Sequence, residues 1–167
     1  MSSHAGSFLV ARTSLQDPFF RRSVVLLLRH GEQGAFGLVV NRPAPVDGLP
    51  FHLFAGGPCE SEGLLLLHGH PEWAAAGSEP PNLEIAPGVF LGDASCMERV
   101  KAAEPEEALR YRVFLGYAGW GPEQLEGEMQ SGAWAVMPAS GNLLFDTPAE
   151  ELWDALAPPH IPEPSAN

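Results

Sequence analysis

The sequence predicts an α+β domain, and three observations predict it. Short β-rich apolar runs crowd the first half, helix-start signals gather in the second, and the strict strand–helix alternation of a doubly wound sheet is missing. A chain of 167 residues lies in the single-domain range and buries roughly 70% of its unfolded surface. No internal repeat or long linker divides it. One domain is therefore expected over residues 7–157, between a loose N-terminus at 1–6 and a loose Pro-rich tail at 158–167.

Phe8–Ala11 reads as a first strand, broken by the turn signal Asp17-Pro18. Val24–His30 and Ala35–Asn41 make a hairpin candidate across Gly31-Glu32-Gln33-Gly34. Leu64–His68 is a further strand, and Leu83–Ala86 and Val89–Leu91 meet at Pro87-Gly88. The runs Val24–Leu28 and Leu64–Leu67 lack alternation, which predicts strands covered on both faces. Pro71–Ala76 reads as a short helix. Ser95-Cys96-Met97-Glu98 has capping-box spacing with Ser95 as the cap. Pro122 occupies a first helical position before Glu123–Glu126, a helix stopped by Gly132, and Thr147-Pro148 opens another before Leu152-Trp153. Between these helices Tyr111–Gly116, Trp134–Met137 and Leu143–Phe145 read as strands.

Composition removes several functions. The longest apolar runs fall far short of the roughly 18 residues of a membrane span. No basic segment followed by an apolar stretch and a cleavage site opens the chain, so the cytoplasm is the expected compartment. Cys59 and Cys96 lack both disulfide-framework and zinc-site spacing, and no cofactor is expected. A net charge of −12 argues against a nucleic-acid surface. The charge is uneven, however: residues 1–42 hold five Arg (12, 21, 22, 29 and 42) against Asp17 and Glu32, while 43–98 hold eight acids and no Lys or Arg. That N-terminal third makes either a local positive patch or a set of Arg paired with the body's carboxylates; pairing is the expected reading.

Several segments resemble one family. Asp17-Pro18-Phe19-Phe20-Arg21-Arg22-Ser23-Val24, Gly34–Pro43, Gly56-Gly57-Pro58 with Leu66-Leu67-His68, Leu115–Glu126, Gly132-Ala133-Trp134 and Leu144-Phe145-Asp146 are similar, in order, to the signatures of the AlgH/YqgE family. The resemblance runs from about Gly6 to Leu156. It implies a bacterial cytoplasmic protein with a branched, largely antiparallel sheet curled into a pseudo-barrel and flanked by helices. The family is often labelled a transcriptional regulator, and the resemblance implies no established reaction. Arg12-Thr13 in the first loop and Cys59 after Gly-Gly-Pro depart from the pattern without adding chemistry.

The polar residues of those segments are Asp17, Arg22, Ser23, His30, Asn41, Arg42 and His68, at strand ends or turns where functional groups are displayed. They are the candidate ligand- or partner-binding set. Local structural roles compete: Asp17 can close an Asx turn, and Asn41 can bond its own loop. Ser23 lacks the Gly-x-Ser-x-Gly turn of a hydrolase nucleophile. His68-Gly69-His70 has a chelating spacing without a third ligand, so no metal is expected. Gly116–Pro122 resembles a strand-to-helix anion loop but lacks the Lys-Ser/Thr of a phosphate loop, and packing is its expected role.

The function expected is a non-enzymatic regulatory or binding module that engages a protein partner or small-molecule ligand, without direct nucleic-acid contact. The alternative is an enzyme on a small acidic metabolite, with His30 or His68 as general base and Arg residues as carboxylate clamps.

Overall fold

A computed structural model describes residues 3–156 except 14, 16, 45, 47, 76–82 and 105. The tail over 158–167 lies outside the described residues. Among these, nine strands and five helices follow one another as β1 (Ser7–Ala11), β2 (Val24–Gly31), β3 (Gly34–Val39), β4 (Leu53–Ala55), β5 (Cys59–His68), α1 (Pro71–Ala75), β6 (Leu83–Ala86), β7 (Val89–Leu91), α2 (Ala94–Ala102), β8 (Tyr111–Trp120), α3 (Gln124–Gln130), β9 (Trp134–Pro138), α4 (Gly141–Asp146) and α5 (Ala149–Leu156). No helix is long and apolar enough to cross a membrane.

The strands form one sheet in the order β6-β7-β5-β8-β3-β2-β1-β9, with β4 as a side branch on β8. Every pairing is antiparallel except β4 with β8. The branch arises because β8 is long. Its Val113–Leu115 segment pairs with β4, and its Ala118–Trp120 segment with β3. Gly56 closes the fork, donating to Leu115 O (2.9 Å) and accepting from Val39 N (2.8 Å). Backbones touch there: a Cβ on Gly57, at φ +156°, would sit 2.1 Å from the Tyr117 carbonyl. The sheet curls into a half-barrel whose ends are tied where Gly141 N donates to Pro87 O (2.8 Å).

Both faces of the central strands β1 and β2 are covered. In β1 and β2, Phe8, Val10, Val24 and Leu26 face a core closed by Leu144, Leu152 and Trp153 of α4 and α5. Leu9, Ala11, Val25 and Leu27 face a second, closed by Leu125 of α3 with Trp120 and Trp134. Opposite faces of one strand thus feed separate cores, which is why the Val24–Leu28 run shows no alternation. The third cluster packs Leu66 and Val113 under Trp73, Cys96 and Val100. Leu64 departs from the expectation of two-sided cover, being 42% exposed.

Three local expectations are corrected. Leu143–Phe145 is helical: Ser140 caps α4 by accepting from Leu143 N, and a three-residue apolar run carries no period to separate helix from strand. Asp93, not Ser95, caps α2, because its carboxylate accepts from both Ser95 N and Cys96 N. Gly116–Trp120 continues β8 rather than forming a loop, and Pro122 precedes α3 through Glu123 in the left-handed region. Ahead of β1, Gly6 N donates to Leu27 O and His4 N to His30 Nδ1.

Candidate functional site

The segment between β1 and β2 is organised by its own polar groups. Asp17 Oδ1 accepts from Phe19 N (2.8 Å) and Phe20 N (3.1 Å), an Asx turn. Ser23 is buried, and its hydroxyl donates to Phe20 O. Asn41 reaches over from the end of β3: Oδ1 accepts from Val24 N (3.0 Å), and Nδ2 donates to Arg22 O (3.0 Å). Arg42 donates to Arg21 O (3.4 Å) and lies 4.9 Å from the Phe19 ring centroid, and burial lowers its pKa. Beneath them the buried Arg112 donates to Val40 O (2.6 Å) and Thr147 O (3.1 Å). Burial pushes its pKa down to about 10.

These bonds present Arg22, which sits at φ 59°, a left-handed conformation uncommon for a long side chain. Its guanidinium lies 4.5 Å from the Trp153 ring centroid and 3.4 Å from Asp154 Oδ1. Trp153 is fixed in turn by donating Nε1–H to Ala11 O at 2.7 Å. The result is a cleft of about 150 Å³ lined by Arg12, Thr13, Leu15, Arg21, Arg22 and Trp153. Among the described residues no carboxylate lies within ion-pair distance of Arg12, Arg21, Arg29 or Arg42. Among the described residues, the expectation that the N-terminal arginines pair with the acidic body therefore holds for Arg22 alone.

Asp17, Arg22, Ser23, Asn41 and Arg42 thus share one hydrogen-bonded structure, although Arg22 alone of the five lines the cleft. Arg12, Arg21 and Trp153 complete it. The excess of arginine in the first 42 residues was the sequence signal for the first two, whereas Trp153, more than a hundred residues away, carried none.

The two histidines lie apart from this group. His30 Nδ1 accepts from His4 N (3.0 Å), so the neutral ring carries its proton on Nε2, which donates to Glu126 Oε2 at 2.8 Å. That hydrogen bond is the main cause holding the Glu126 carboxyl below its ordinary pKa. His68 is fully buried between Trp73 and Phe90, and its Nδ1 accepts from His70 N at 3.1 Å. His70 Nε2 accepts from Arg110 N at 2.9 Å. The His68–His70 pair thus directs one nitrogen of each ring at a main-chain N–H. Among the described residues no group of three or more His, Cys, Asp or Glu is placed to hold a metal.

The sequence matches the AlgH-like family (DUF179) over residues 8–159. A UPF0301 protein of Anaeromyxobacter sp. is 38% identical, over 90% of this chain and 84% of that protein. A UPF0301 protein of Psychrobacter cryohalolentis is 34% identical, over 90% and 86%. The solution structure of the AlgH protein from Pseudomonas aeruginosa superposes with a TM-score of 0.70 at 31% identity, covering 92% of this chain and 87% of that one. A crystal structure from Corynebacterium diphtheriae shares the fold, with a TM-score of 0.73 at 23% identity and coverage of 99% and 91%. With its half-barrel, its fork at Gly56-Gly57 and this match over nearly its whole length, the chain belongs to the AlgH-like family.

Proposed function

We propose that the chain is a cytoplasmic, non-enzymatic binding module, regulatory in role, which receives a carboxylate or phosphate group in the cleft of Arg12, Arg21 and Arg22. The ligand carries that group as a small molecule or on a protein partner. The observation that carries the reading is the convergence of three arginines on one cleft in a protein of net charge −12. Two of them have no carboxylate partner among the described residues. A guanidinium fork matches a planar carboxylate or a phosphate edge, and the Trp153 wall excludes water from one side. The acidic surface elsewhere repels anions and leaves this cleft as a favoured landing point.

The non-enzymatic part is supported by the engagement of the groups an enzyme would need. Both ring nitrogens of His30 are bonded, His68 is enclosed, and the Ser23 hydroxyl is buried against Phe20 O. The overall charge supports regulation through a partner rather than by direct DNA contact.

A thermal-shift screen with phosphate, di- and tricarboxylates, nucleotides and acidic peptides tests the proposal. A true ligand at about a hundred times its Kd raises Tm by roughly 5–10 °C. The shift should disappear in the Arg12→Ala/Arg21→Ala variant while its unliganded Tm stays near that of the parent. No shift with any anion, or one that survives the double substitution, rejects the cleft.

A further inference from the structure

A second surface, sharing no residue with the arginine cleft, lies on the branch of the sheet formed by β4, β5 and β8. Strand register aligns two rows of side chains across it. In the first row Leu66, Val113 and Leu53 are neighbours, and α1 and α2 cover them with Trp73, Cys96 and Val100. Two residues along each strand, on the same face, the second row aligns Leu64, Leu115 and Ala55. The cover stops before this row: Leu64 is 42% and Leu115 50% exposed. The pair stands between two depressions. One, of about 420 Å³, separates Leu64–Leu66 from Ala94, Met97 and Lys101 of α2. The other, of about 390 Å³, is formed by Leu115 and Gly116 with Gly57, Pro58 and Cys59.

The rim has one dominant sign. Asp93 and Glu98 border the first depression and Glu60 the second. Lys101, the one cation lining it among the described residues, is within 3.8 Å of Glu98. The whole stretch 43–98, which supplies β4, β5 and the start of α2, contains no Lys or Arg. An uncovered apolar row inside an acidic rim has the anatomy of a protein-docking surface.

We infer that the Leu64–Leu115 row docks a basic amphipathic segment of a protein partner, its apolar side on the two leucines and its Lys or Arg side chains against Glu60, Asp93 and Glu98. Charge complementarity selects this occupant. A second copy of the chain would bring its own acidic rim, and an anionic membrane would be repelled by it.

Two synthetic amphipathic helices with the same leucine face, one flanked by Lys and Arg and the other by Glu, provide the probes. Their binding to the full chain is read by fluorescence anisotropy. The basic peptide should bind about tenfold or more tighter than the acidic one, and weaken as salt rises. The Leu64→Ser/Leu115→Ser variant should lose about tenfold in affinity for it, as an apolar anchor does. Val136→Ser, at an exposed apolar position of β9, should leave affinity unchanged. Because the two leucines are already half in solvent, circular dichroism and Tm should match the parent, which separates lost docking from lost folding. Equal binding of the two peptides, or an unchanged affinity in the double leucine variant, overturns the inference. So does a parent dimer in sedimentation that the leucine variant dissolves, or leucine-dependent binding to phosphatidylglycerol vesicles.

Discussion

The Nε2 of His30 donates to Glu126 across 2.8 Å, joining β2 to α3 through a side chain only 1% exposed. The other ring nitrogen is committed to His4 N, so the ring works as a strut between the N-terminal segment and the helix. His30→Ala should raise the titration of Glu126 toward the ordinary carboxyl range, measurable by carbon NMR across pH. A depressed carboxyl contributes stability that is present above its ordinary value of 4.5 and lost as pH falls through the folded value. The acid limb of a stability–pH curve should therefore be shallower in Glu126→Gln.

His70 predicts a second acid effect in a different pH window. Its pKa is lowered first by burial and also by Arg110, against an opposing pull from Glu72. The folded state thus binds fewer protons than the unfolded state. The stability it contributes is complete above about pH 6.5 and lost as pH falls below that value. Protonation would also turn an N–H on Nε2 toward the Arg110 N–H it now accepts. In His70→Gln the decline of Tm between about pH 6.5 and 5 should be flatter than in the parent.

Glu128 accepts two indole N–H groups on one oxygen, from Trp120 and Trp134, each at 2.9 Å. Glu128→Ala strands both donors and should cost about 2–4 kcal/mol in urea unfolding, with a changed tryptophan emission. Glu128→Gln keeps a carbonyl oxygen there and should cost about half as much.

Asn41 is predicted to govern the cleft from outside it. Asn41→Ala leaves Val24 N and Arg22 O without their side-chain partner and should cost about 1–3 kcal/mol. It should also free Arg22 from its left-handed conformation. Anion-dependent thermal shifts should then shrink more than the loss of Tm alone would produce.

How much was legible in the sequence depended on how local the determining interaction is. The β2–β3 hairpin was readable because apolar runs and a Gly-rich turn are adjacent in the chain. The Asx turn at Asp17 was readable for the same reason, its acceptor and donors lying within three residues. The continuation of β8 through Gly116 was not, since Gly116 accommodates the backbone of Gly57, some sixty residues away. Nothing local marks Arg112, whose two carbonyl acceptors, Val40 O and Thr147 O, lie 72 and 35 positions away.

The sequence by itself determined the α+β class, the acidic body, the arginine-rich N-terminal third and the family. Composition, periodicity and turn chemistry act over a few residues and survive in any unaligned string. The tertiary structure decided which arginines meet, that Trp153 walls their cleft, that both ring nitrogens of His30 are used, and that Leu64 and Leu115 stay uncovered. Each of these depends on strand register and on the curl of the sheet. The Arg22–Asp154 contact spans 132 positions, and no local preference of either residue encodes the other.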